Sequence, residues 1–255
     1  MLVWVAFAAG VYGMRWRRAR ASVGPAAAPG WRLASFMGGL VVVLVALVSP
    51  VDRLSDQLFA VHMVQHVLLL DVAPILLILG LTRVILRPVT RRLAVVERAA
   101  GPLGHPVFAI ALYVVVMWAW HVPAMYDAAL HHAGIHVVEH LCFGVAGGLY
   151  WWHLLSPIRS RLRLGAMGPA LYMASTKLLV GVLGLGLAFA PQSLYAFYAH
   201  QSTYWGLSPG NSQAAAGLVM ALEQSLVMGV ALSLLFIRGL AESEREAQRT
   251  ERFAA

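Results

Sequence analysis

The sequence predicts an all-α protein, a polytopic transmembrane helical bundle of about seven spans with its N-terminus outside and its C-terminus cytoplasmic. Three observations carry that expectation. Of the 255 residues, 60% are hydrophobic and 12% charged, about half the charged share of a soluble domain. Mean hydropathy is +0.73, so lipid must serve as part of the solvent. Basic residues then alternate with apolar runs in the order that a membrane topology requires.

The apolar runs are 1–14, 33–49, 58–80, 106–122, 135–155, 168–190 and 213–237. Crossing the hydrocarbon takes about 20 such residues, and the first run is short for a span. It reads as a span and not as a signal peptide because Arg15, Arg17, Arg18 and Arg20 follow it instead of preceding it. Residues 1–240 therefore read as one transmembrane domain and 241–255 as a charged cytoplasmic tail.

The connections test the topology. Arg15, Arg17, Arg18, Arg20 and Arg32 fall in one inside segment, and Arg83, Arg87, Arg91, Arg92 and Arg98 in the next. Arg159, Arg161 and Arg163 form the third, and Arg238, Arg245, Arg249 and Arg252 belong to the tail. Only Arg53 and Lys177 fall elsewhere, a strong positive-inside bias. Trp16, Trp31, Trp151 and Trp152 flank the inside boundaries, and Trp118, Trp120, Tyr195, Tyr198, Tyr204 and Trp205 the outside ones, as amphipathic rings prefer.

The formal charge of +8 thus has a topological reason, and no soluble basic face is left for a nucleic acid. Cys142 is the only cysteine, which excludes an internal disulfide and any two-cysteine metal motif. Gly144, Gly147 and Gly148, like Gly181, Gly184 and Gly186, suggest close helix approach.

Candidate chemistry lies in the ten histidines. His105 and His153 map to the inside. The others map to the outer half or outer loops: His62, His66, His121, His131, His132, His136, His140 and His200. His62 with His66, and His136 with His140, are four residues apart, which puts each pair on one helix face. At about 1.5 Å per residue, all four lie roughly in the outer third of the bilayer, and His121 ends the fourth run at that face. Imidazole suits zinc, copper, iron and nickel, and the thioethers of Met63, Met125 and Met220 at similar depth would favour copper. Glu139 could ligate a metal or orient an imidazole, and Asp127 is a weaker candidate. The metal candidates are therefore His62, His66, His121, His136, Glu139, His140 and Met63. The plain alternative is that these histidines only hydrogen-bond neighbouring helices. Asp71, Lys177 and Glu223 lie near the midplane, where ionisable groups are costly and are functional candidates by default. Lys177 could pair with Asp71 or Glu223 and fix helix register.

With these residues in view, the chain resembles the multi-span CtaG-type assembly factors of bacterial cytochrome c oxidase. The likeness begins at Ser49-Pro50 and runs through His62 to His66, Ala73-Pro74 and Leu79-Gly80. It continues with Trp118, His121, Pro123, Tyr126, Asp127, His136, Glu139-His140, Phe143 and Tyr150-Trp151-Trp152, then Gln192, Leu194-Tyr195, Trp205 to Ser208 and Gln213 to Met220. The sequence departs from the family pattern at Asn211-Ser212 and at Glu223-Gln224. The resemblance implies a multi-pass protein of the bacterial plasma membrane that partners oxidase subunits, with a suspected part in copper handling. It also implies that the copper is needed toward the outer side, where the histidines fall.

Other functions stay open at this point. A membrane-embedded zinc hydrolase could use Asp71 or Glu139 as base, although no serine or second acid completes such a site. A haem protein could use two facing histidines as axial ligands. A metal-free scaffold would only dock oxidase subunits, and a small-solute transporter would use the midplane charges.

Overall fold

The computed structural model describes residues 1–158, 164 and 168–254, and among these the extended elements are all helical, with no strand. In chain order they are α1 (Leu2–Val23), α2 (Gly30–Val48), α3 (Pro50–Ser55), α4 (Phe59–Val67), α5 (Ala73–Gly80), α6 (Arg83–Ala100) and α7 (Pro106–Trp120). There follow α8 (Pro123–His131), α9 (Ala133–Leu155), α10 (Gly168–Phe189), α11 (Ala196–Ala199) and α12 (Pro209–Ala254).

Among the described residues four rods are long and apolar enough to cross a membrane: Gly30–Val48, Phe59–Gly80, Gly168–Phe189 and Pro209–Ala241. A fifth arises if Glu97–Gly104 and Pro106–Trp120, bent by 61°, act as one span. Helix α9 has 23 residues, but His136, Glu139, His140 and His153 interrupt its apolar run. Helix α1 continues past the expected boundary at Met14 through four arginines to Val23. The arginine-rich segment after Gly80 is not a simple loop either. It forms α6, capped where Ile85 N donates to Thr82 Oγ1 at 3.1 Å, with Ile85 buried and Arg83, Arg87 and Arg92 exposed. Helix α12 carries on through the charged tail to Ala254. Arg159, Arg161 and Arg163 lie outside the described residues.

The rod Phe59–Gly80 contains a π-helical segment at Leu68–Val72, between the histidine pair and Pro74. Proline has no N–H to give the carbonyl four residues back and crowds it, and a wider π turn accommodates both effects. The residue four before Pro74 is Leu70, and its carbonyl faces α9 at Gly147. Any side chain at position 147 would run into that carbonyl. The single missing Cβ at Gly147 therefore lets α9 approach the π segment directly.

Helices α10 and α12 meet through a second small-residue seam. A side chain at Gly217 would collide with Ala188 N and Gly184 O. Gly217→Val is expected to cost about 1–3 kcal/mol by overpacking. The thermal midpoint of the detergent-purified protein should fall accordingly, and an unchanged midpoint would refute the close approach.

Arg15, Arg32 and Arg83 gather at one end of the rods. Arg15 Nη2 donates to Ile85 O at 2.6 Å, Arg32 Nη1 to Leu79 O and Leu81 O at 2.8 and 2.6 Å, and Arg83 Nε to Pro157 O at 2.6 Å. Tyr12 Oη donates to Gly80 O at 2.7 Å. The carbonyls at Leu79, Gly80, Leu81 and Pro157 fall at or just past helix C-termini, where such groups are left unpaired. At the other end Gln65 Nε2 donates to Ala46 O and Asp52 Oδ1, and Asp127 accepts from Ala196 N and Phe197 N. The histidine pairs belong to this second end.

Candidate metal centre

Helix α4 carries His62 and His66 inward one turn apart, and α9 carries His136, Glu139 and His140 against them. One ligand atom from each of His62, His136, Glu139 and His140 lies within 4.8 Å of every other. His62 Nε2 and His136 Nε2 each stand 3.9 Å from Glu139 Oε2, and His66 Nε2 stands 3.5 Å from Glu139 Oε1. His62 Nε2 and His66 Nε2 are 2.7 Å apart. The side chains of His62 and Glu139 are fully buried, and His136 retains 19% exposure.

The polar accounting at this spot is incomplete. His136 Nε2, His140 Nε2 and both Glu139 oxygens are buried with no hydrogen-bond partner. Such a concentration at one spot is unusual, since nearly all buried polar groups are satisfied, and a buried carboxyl without a partner is costly. Three imidazoles and one carboxylate are a donor set suited to zinc, copper, iron or nickel. The residues present therefore fit a metal ion.

Neighbours set the ring orientation. Tyr198 Oη donates to Ser55 O, so its oxygen is left to accept from His62 Nδ1, 3.4 Å away. That assigns the proton to Nδ1 and aims the Nε2 lone pair at Glu139 and His66, the form that binds metal. The Tyr126 ring packs 5.1 Å from His62. Burial, foremost, pushes the phenols of Tyr126 and Tyr198 well above their usual range, so both stay neutral. Outside the cluster, burial raises the Asp56 carboxyl, His136 opposes that shift and Asp52 adds to it. Asp56 and Asp52 thus lie at the more open, His136 side of the cluster.

His121 and Met63 stand apart from the four-donor group. His121 Nδ1 lies 2.7 Å from Met117 O, which can only accept, so Nε2 presents its lone pair 3.3 Å from Met63 Sδ. The sequence expectation placed all seven residues in one cluster; the structure puts His62, His136, Glu139 and His140 together, His66 beside them, and His121 with Met63 one layer further. Met125 is exposed and Asp127 holds the backbone of α11. His131, His132 and His200 lie exposed on the connections at the histidine end. Tyr198 and Tyr126, read from sequence only as an interfacial ring and as part of the family likeness, prove to frame the site.

Deeper in the bundle Asp71 accepts from Trp151 Nε1 at 2.6 Å and from Tyr113 Oη at 2.9 Å, with Glu223 joining the cluster. Lys177 does not pair with either acid as expected. Thr176 and Val180 face the core, and Lys177 faces outward. A cavity of about 10 Å³, room for a single water, connects the two layers between Met63, His66 and Met117 above and Asp71, Met220 and Glu223 below.

By fold and site this is an all-helical protein with several membrane-length apolar rods among the described residues and, between α4 and α9, a buried His/Glu cluster whose donors could hold a metal ion. Residues 10–242 match the family described as cytochrome c oxidase caa3 assembly factor, and the chain belongs to that family. No curated protein and no solved structure matches it.

Proposed function

We propose that this chain is a seven-span protein of the bacterial plasma membrane, residues 1–240 forming its transmembrane domain, that binds copper on its way into cytochrome c oxidase. The single observation behind this reading is the convergence of His62, His136, Glu139 and His140, with His136 Nε2, His140 Nε2 and both Glu139 oxygens buried and without a hydrogen-bond partner. These four residues hold the ion. His66 can exchange with His62 at Glu139, and the His121–Met63 pair offers the softer donors that favour Cu(I). By the positive-inside pattern the arginines at the opposite end support reading that end as cytoplasmic, with the tail 241–255, and the copper site then faces the outer side. The family supplies the reason for copper, because its members assemble a haem–copper oxidase.

The test is cellular. His62→Ala/His140→Ala should lower the copper content of oxidase purified from the same cells, with the variant still present in the membrane. His200→Ala, on the exposed surface, should leave it unchanged. Normal oxidase copper in the double variant would refute the proposal.

A further inference from the structure

Lys177 lies on the wrong face for a residue in the middle of an apolar rod. It is nine residues from the start of α10 and twelve from its end, roughly 14 and 18 Å at about 1.5 Å per residue. Its side chain is exposed among exposed Leu178 and Leu179. A lysine side chain reaches roughly 6 Å toward an interface, too short to bring its ammonium to a headgroup from either direction. Among the described residues no acid forms an ion pair with it. A lone ammonium facing hydrocarbon costs several kcal/mol.

The same face has the relief of a packing seam. Leu171, Ala174, Leu178, Gly181 and Leu185 recur at alternating spacings of three and four. Leu171, Leu178 and Leu185 are 68%, 70% and 50% exposed. A Cβ at Gly181 would meet nothing within 4 Å, so the gap there is unfilled. Leucines facing lipid are ordinary, but large residues alternating with small ones at heptad spacing make knobs and holes. Lys177 flanks this seam where coiled coils carry their charges.

We propose that this face of α10 docks a transmembrane helix of a different chain, one that carries a carboxylate at the depth of Lys177. A second copy cannot supply that group. The acids within Phe59–Gly80, α9 and Pro209–Ala241, namely Asp71, Glu139 and Glu223, are all buried, and α2, α7 and α10 contain none. The inference rests on reading α10 as a span and is independent of the metal site. For an assembly factor, the fitting occupant is a membrane helix of the protein being assembled.

A photoreactive phenylalanine derivative at Leu178, in the full chain in native membranes, tests this. Mass spectrometry should find an adduct with an apolar segment of another protein that contains Asp or Glu. Lys177→Leu should cut the yield by at least about tenfold, as loss of a buried charge partner implies, and Lys177→Arg should keep it. Exchanging Lys177 for Glu and the partner's acid for Lys should restore it. Adducts with lipid only, or with a second copy, would overturn the proposal, as would an undiminished yield in Lys177→Leu. Metal content measured on the probe-bearing chain with Lys177 intact separates the two readings: a chain without metal that still forms the adduct would sink the copper site and leave the docking face standing.

Discussion

Glu139→Gln is expected to abolish tight metal binding without weakening the metal-free fold. The carboxyl is fully buried, and neither oxygen has a hydrogen-bond partner. Removing its charge therefore relieves a desolvation cost instead of breaking a bond. If Glu139 were merely a structural group tying the histidines together, the substitution should lower stability. As a ligand, its loss should exceed the roughly 10–100-fold typical of a residue that only orients a ligand. Thermal shift of the purified protein separates these outcomes. Wild type should gain stability with copper, about 2.7 kcal/mol at one hundred times the dissociation constant. The variant should gain none, from a metal-free midpoint equal to or above that of wild type. A variant clearly less stable without metal would contradict the assignment.

Asp71→Ala is expected to show the reverse pattern. Asp71 accepts from Trp151 Nε1 and Tyr113 Oη, all buried. Deleting the carboxyl strands two buried donors at roughly 1–3 kcal/mol each. It also empties a position one residue from Leu70, where the π segment meets Gly147. The thermal midpoint should fall steeply, while any folded protein should still take up metal, because Asp71 lies in the layer below the four donors. Asp71→Asn, which keeps one acceptor and the shape, should lose less. An Asp71→Ala protein as stable as wild type would show that the hydrogen bonds around Asp71 contribute nothing to the fold.

The two variants mark how far the sequence can be read. The i, i+4 spacing and matched depth of His62, His66, His136 and His140 predicted two faces meeting, and Glu139 fell between them by the same helical geometry. Those are local regularities, and the structure keeps them. Rotation about a helix axis is not local. Thr176 is buried and Lys177 exposed, because one residue turns the side chain by about 100°, and only packing against α12 and α7 decides which faces in. The expected Lys177 ion pair failed on that point. The sequence shows Pro74 inside a rod, but not that a π segment would absorb it and bring Leu70 O to Gly147. Of the six glycines read as close-approach points, Gly147 and Gly184 meet another helix, while Gly144, Gly148, Gly181 and Gly186 face open space. Tyr198 reaches His62 from 136 residues away in sequence, a separation that no spacing rule spans.

The most direct measurement is elemental analysis of detergent-purified protein, wild type beside His66→Ala/His140→Ala, with an absorption scan for haem. Copper at about one per chain in wild type, as a single three-histidine, one-carboxylate centre would hold, and none in the variant, is the expected result. Zinc in place of copper, or no metal in wild type, would contradict a copper site between α4 and α9.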